Sequence, residues 1–262
     1  MIKLAARVGM IGPILFTTVV ILLTILKFDF LLSIGWHPLN APTFDWPSGL
    51  ALGRYGWIMT VTFLLSGLMM AIFASGLRLS LPRTLATFLS TLALTCAGLA
   101  LAGLAFTTDP TIRSTPATWH GRLHDLSFVI LGLTLMPAMT LLGFAFQKDD
   151  CWKNLSAYTW ITVALALPAF WLKGAAFYVF MLAVLAWSEV VALRLKSFTR
   201  NCSGMSLRGG LLLACPDVFS GSRRSNLLSL GDCFGKTKSA SQRHVPRLSS
   251  YIHTGTNPEG VI

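Results

Sequence analysis

Six stretches of 19 or more residues carry one charged side chain between them, and this feature constrains the chain more than any other. Arg7 to Lys27 encloses 19 uncharged residues, Arg54 to Arg78 encloses 23, and Arg83 to Asp109 encloses 25. Asp125 to Lys148 encloses 22, Lys153 to Lys173 encloses 19, and residues 174–193 number 20 with a single acid, Glu189. At about 1.5 Å rise per residue, each stretch as a helix covers a hydrocarbon core of roughly 30 Å. Lipid offers the backbone no hydrogen-bond partner, so a crossing segment must satisfy its own amides, which an α-helix does. The expectation is an all-α, polytopic transmembrane helix bundle of about six spans, near residues 8–27, 55–77, 84–106, 125–147, 154–172 and 174–194.

Composition agrees. Charged residues make up 12% of the chain, against roughly 25% in soluble domains. The first run begins with Lys3 and Arg7, as a secretory signal would, but its apolar core exceeds the 7–15 residues typical of one. It reads as a retained first span.

The net charge of +11 matters less than its placement. With the amino terminus inside, the inner set holds Lys3, Arg7, Arg78, Arg83, Lys148, Lys153, Arg194, Lys196 and Arg200, which is nine. The outer set holds Lys27, Arg54, Arg113, Arg122 and Lys173, which is five. Excess Lys and Arg mark the cytoplasmic face, so both termini are expected inside, in a multi-pass protein of the cell membrane. No cysteine falls in an outer loop, so no disulfide framework is expected. A nucleic-acid partner would need a basic folded module, and none is visible.

Residues 28–54 form the longest outer connection. Phe28–Ile34 is apolar enough for the first helix to continue past Lys27 or to lie along the interface. Trp36, Trp46, Trp57, Trp119 and Trp171 fall near the outer boundary, where headgroup-level anchoring is the expected role. Lys27, Asp29 and Arg54 read as boundary charges. The short 78–83 turn makes the second and third spans antiparallel neighbours. Gly67, Ala71 and Ser75, spaced every four, let another helix approach the second span closely. After Arg200 the chain turns polar, rich in Ser and Gly, and basic, which predicts a disordered tail over 201–262. The abrupt change leaves a frameshifted or spurious extension open as a hypothesis.

One region concentrates polar residues: Phe106-Thr107-Thr108-Asp109-Pro110, followed by Trp119-His120-Gly121-Arg122-Leu123-His124-Asp125. It resembles the signature of the bacterial and archaeal membrane family called domain of unknown function 998. In that family a phenylalanine-x-x-aspartate motif closes the third span and a glycine-x-x-histidine-aspartate-like motif opens the fourth. Phe106, Asp109, Gly121, His124 and Asp125 occupy those positions. Ser48-Gly49-Leu50-Ala51-Leu52-Gly53 resembles the family's outer segment, and Leu185-Ala186-Trp187 through Arg194-Leu195 its usual ending. The resemblance covers roughly residues 8–197 and not the tail. It implies a compact six-helix bundle in a prokaryotic cell membrane and supplies no activity.

The residues themselves leave several readings open. Thr115-Pro116 reads as an N-cap followed by Pro at the first helical position, which places His120 and His124 on one helix face. Asp109, held by the Asp-Pro turn, is within reach of that face. Asp109, His120, His124 and Asp125 therefore form a candidate polar or ligand site. A structural clasp of carboxylate on imidazole is the leading reading, with proton or substrate binding and a metal site on Asp109, His120 and His124 as alternatives. Glu189 is the one intramembrane acid, read either as pairing with Arg194 or Lys196 or as part of a proton path.

No P-loop, nucleophile elbow, Cys-x-x-Cys pair or dinucleotide fingerprint is present, and the cofactor, if there is one, is left unknown by the sequence. The leading function is therefore binding of a lipid or small ligand, or an accessory role in the bilayer, without enzymatic activity. The alternatives are a metal-dependent membrane hydrolase with an outward-facing His/Asp site, to which His37 or Asp125 could add a ligand, and a proton-coupled transporter using Glu189. The orientation can be tested with an impermeant maleimide. A cysteine at Thr115 should react in intact cells, and one in the 78–83 turn only after permeabilisation; the opposite pattern overturns it.

Overall fold

The computed structural model describes residues 1–37, 46–110, 117–172 and 175–207. Among them the order is α1 (Ile2–Leu26), α2 (Phe28–Ser33), a 3-10 turn (Ser48–Ala51), α3 (Gly56–Ser80), α4 (Leu85–Gly103), α5 (Trp119–Gln147), α6 (Asn154–Leu172) and α7 (Ala175–Leu207), with no strand among the described residues. Helices α1, α3, α4, α5 and α7 are long and apolar enough to cross a membrane, and α6 adds a shorter apolar helix over Asn154–Phe170. This is the expected all-α bundle of about six spans. Helix α7 continues through residues 201–207, and the rest of the expected tail lies outside the described residues.

Each long helix packs on its neighbour in the chain, and α7 returns to pack on α1. The six thus close a ring in the order α1, α3, α4, α5, α6, α7. Small residues draw the first members together. Gly9 and Gly12 of α1 face Phe73 and Met69 of α3, and Ala5 fills the space at Gly76. Gly67 of α3 rests on the backbone of Gly98 and Ala102, and Gly98 on that of Gly67 and Ala71. The spacing of Gly67 and Ala71 thus serves a close crossing of α3 with α4. Between α5 and α6, Ser156 Oγ donates to Gly143 O at 2.9 Å. Between α6 and α7, Trp187 Nε1 donates to Thr159 Oγ1 at 3.0 Å.

The outward faces are apolar. Ile11, Ile14, Leu22, Leu64, Leu68, Leu133 and Leu182 are all exposed, which suits lipid as the surrounding solvent. Most threonine hydroxyls within the spans return to their own helices. Thr62, Thr91, Thr95, Thr140 and Thr162 each donate to the carbonyl four residues back, so their burial leaves no donor unsatisfied. At the 81–84 connection Thr84 caps α4 by accepting from Thr87 N–H, and the Arg78 guanidinium lies 5.1 Å over the Phe88 ring. Arg194 of α7 donates Nε–H to Cys151 O at 2.8 Å, tying α7 to the α5–α6 turn.

The two glycine seams differ in what a methyl group would meet. At Gly67 it would strike the Gly98 carbonyl and the Ala102 amide, whereas at Gly12 it would meet only the Met69 side chain, at 3.5 Å. Gly67→Ala should therefore destabilise the detergent-solubilised protein by about 1–3 kcal/mol, and Gly12→Ala should be close to neutral. Equal shifts in thermal melting would show that the α3–α4 crossing is not set by backbone contact.

Candidate functional site

A ring of six helices without a central one leaves space inside it. That space is a cavity of about 310 Å³. Its walls are apolar over most of their length, with Phe16, Phe63, Met70, Leu131, Met181 and Val184 among the lining residues. Polar side chains gather toward one end, where Ser48, Thr108, His124, Asp125 and Tyr178 line it. Ser66 of α3 and Ser188 of α7 line it farther along. Its volume lies at the lower end of the usual range for ligand sites.

The polar end is assembled from two junctions. At the first, α1 stops at Leu26 and Lys27 turns inward. Lys27 is only 6% exposed, and its Nζ donates to Leu50 O at 2.9 Å and also to Leu52 O. The Phe30 ring lies 4.9 Å from the ammonium, and burial pushes the amine pKa down. Lys27 thus stands at the helix boundary as expected, but its side chain is buried. It holds the 3-10 turn against the start of α2, because two carbonyls with no other helical partner need a donor there. Asp29 and Arg54 remain exposed as expected.

The aromatic residues of this junction also depart from expectation. Trp57 and Trp119 are exposed, in keeping with anchoring, but Trp36 is buried. Trp46 stacks on Trp36 at 6.5 Å and meets Tyr178 edge-on at 4.8 Å, while its Nε1 donates to Thr24 Oγ1 at 3.0 Å. Trp46 and Tyr178 line the polar end of the cavity, and Trp36 packs behind Trp46. The side chain of Trp171 lies outside the described residues.

At the second junction α4 gives way to α5. Helix α5 begins at Trp119 with Thr118 as N-cap, later than the expected Thr115-Pro116 start, and those two residues lie outside the described residues. The reason is Asp109. Its carboxylate accepts from Thr118 N–H at 2.9 Å and from Thr118 Oγ–H at 2.7 Å, and Thr118 Oγ accepts in turn from Gly121 N–H at 3.1 Å. Thr107 O and Thr118 Oγ both lie on His120 Nδ1, at 2.9 and 3.0 Å, so that nitrogen carries the proton. Asp109 and His120 are brought together through Thr118.

His124 belongs to a separate set. It is 3% exposed, and its Nδ1 lies 3.1 Å from Leu104 O and 2.7 Å from Phe106 O. Carbonyls only accept, so Nδ1 bears the hydrogen. In the neutral ring Nε2 is then the acceptor, and Ser48 Oγ, at 2.9 Å, donates to it. Asp125, next in sequence, is exposed and lines the same end of the cavity. Among the described residues no group of three or more His, Cys, Asp or Glu side chains is placed to hold a metal ion. His37 is exposed. Glu189 is half-buried with Oε2 unpartnered among the described residues, and it does not line the cavity, although its neighbour Ser188 does.

A family model described as "Protein of unknown function (DUF998)" matches residues 10–194. The chain belongs to this family. No curated protein and no solved structure matches it.

The DUF998 motif positions have physical roles in this chain. A methyl group at Gly121 would collide with the Asp109 carboxylate, so glycine there lets the α4–α5 connection lie on the first turn of α5. Phe106 contributes its carbonyl to His124, and its ring meets Trp119 edge-on at 6.1 Å. Sequence reasoning missed Lys27, Ser48, Trp46 and Tyr178 as parts of the site. Only Ser48 carried a signal, as a member of the family-like outer segment. Asp109→Asn would set an amide N–H₂ against the Thr118 donors and should cost about 1–3 kcal/mol in thermal melting. Thr118→Val should cost a similar amount, and the double variant little more than either alone. Additive losses would mean that Asp109 and Thr118 act independently.

Proposed function

We propose that this DUF998 protein holds a single amphiphile, a lipid or a lipid-like small molecule, inside its helix ring. The apolar chain would lie along the walls formed by α1, α3, α5 and α7, and the polar head would lie beside Ser48, Thr108, His124 and Asp125. The cavity carries this reading, because apolar walls and convergent polar groups at one end match the two halves of an amphiphile. The bilayer would be both solvent and source of the ligand.

The chain would reside in the plasma membrane with both termini cytoplasmic. The nine-to-five division of Lys and Arg supports this orientation, which turns the His124 end of the cavity outward.

Ser66 provides a test. Its Oγ is buried without a partner among the described residues and its side chain lines the cavity. Ser66→Leu should fill part of the chain-binding space and remove an unsatisfied hydroxyl, leaving melting temperature nearly unchanged. Native mass spectrometry should find one retained lipid on most wild-type molecules and at least about tenfold less on the variant, as expected when roughly 1.4 kcal/mol of binding is lost. Equal retention by both proteins, or none by the wild type, would refute the proposal.

A further inference from the structure

The pairing of Ser48 with His124 does more than close a junction. We propose that Ser48 and His124 form a nucleophile–base dyad that cleaves acyl esters by way of an acyl-Ser48 intermediate. The proposal rests on the cavity being the site of an amphiphile and adds the chemistry performed on it.

Three features of the geometry support the dyad. First, Ser48 Oγ lies 2.9 Å from His124 Nε2, within the reach required for a base to take the hydroxyl proton. Second, the imidazole is held in the tautomer that makes Nε2 the acceptor. Leu104 O and Phe106 O fix Nδ1–H, the orienting role that a carboxylate performs in a serine–histidine–aspartate triad. Leu104 is also the C-cap of α4, so the negative end of that helix dipole faces the ring when it becomes imidazolium. Third, the pair opens where its substrate would lie. His124 is buried, whereas Ser48 is half-exposed and both line the cavity.

A structural serine needs none of these coincidences. Ser48 is the first residue of the 3-10 turn and comes 76 positions before His124 in the chain. Lys27, through Leu50 O and Leu52 O, holds the turn that presents the hydroxyl and is a positioning residue. Tyr178 lines the same end. Its buried Oη–H has no acceptor among the described residues. It is the donor available to a developing oxyanion.

The reaction balances with water as the second substrate. Ser48 Oγ attacks the ester carbonyl carbon as its proton passes to His124 Nε2. The tetrahedral adduct collapses by breaking the carbon–alkoxy bond, and the departing alkoxide takes the proton from Nε2 and leaves as an alcohol. Water then gives a proton to Nε2 as its oxygen attacks the acyl carbon. Ser48 Oγ leaves with that proton, and the carboxylic acid is released.

Hexadecyl fluorophosphonate tests the dyad, with unreactive hexadecylphosphonic acid as the probe of binding alone. The full-length protein in detergent should acquire one phosphonyl adduct, mapped by peptide mass spectrometry to Ser48, with loss of fluoride. Ser48→Ala should form none while its melting temperature still rises with hexadecylphosphonic acid. His124→Gln should react about 100-fold more slowly, the contribution expected of a general base. Because His124 also joins α4 to α5, Lys27→Met serves as a second variant that leaves the dyad chemically intact. It should fold, keep hexadecylphosphonic acid binding and react more slowly at Ser48. Stabilisation by hexadecylphosphonic acid without a Ser48 adduct would overturn the dyad and leave the amphiphile reading standing. Neither stabilisation nor adduct would remove both. An adduct formed as fast in a folded His124→Gln protein would refute the role of the histidine.

Discussion

The structure depends on one constraint: within lipid, every backbone amide has to find its partner inside the protein. Helices meet this requirement segment by segment, which is why most of the described residues lie in long helices. The constraint does not say how the helices should be arranged. Burial of apolar side chains gives little preference when the surrounding tails are equally apolar, so close backbone approach and a few hydrogen bonds decide the arrangement. Gly67 against Gly98, and Gly9 under the Phe73 ring, are the places where small residues let it happen. Closure of the ring through α7 and α1 then leaves the centre to side chains and to the cavity between them.

The same constraint makes helix ends the costly part of the molecule, since their last carbonyls and first amides lack partners within the helix. The polar residues of the chain are concentrated on this problem. Lys27 donates to the carbonyls of the 3-10 turn, His120 to Thr107 O, and His124 to Leu104 O and Phe106 O. Thr118 supplies the cap of α5 and is itself fixed by Asp109. These contacts converge at one end of the ring, so satisfying the backbone there also gathers a hydroxyl, an imidazole and a carboxylate around the mouth of an apolar space. Stability and chemistry therefore share the same groups. A side chain such as His124, tied through Nδ1 to the backbone, still presents Nε2 to Ser48.

Much of the fold was legible in the residues. Run lengths between charges gave an all-helical bundle of about six spans, and Gly67 and Ala71 of the α3 small-residue face lie where α4 crosses. The nearness of Asp109 to His120 was expected from their places at one turn, whereas Thr118, which joins them, was not singled out in the sequence. The error at Thr115-Pro116 arose where two threonines could each cap the helix and local preference could not choose between them. Asp109 chose Thr118, through a contact nine residues away.

By itself the sequence determined that this chain is a helical membrane protein of about six spans, since hydrocarbon thickness and amide satisfaction act on any long uncharged run. It also placed a polar pair of motifs at one helix junction. Only the tertiary structure decided that Lys27 is buried, that Trp46 and Tyr178 meet at the polar end of a cavity, and that Ser48 meets His124. Each of these joins residues far apart in the chain, and whether a lysine faces water or a pair of carbonyls depends on which helix end packs beside it. Charge and hydropathy along one segment report the medium in which it can sit; they do not report its neighbour across the ring.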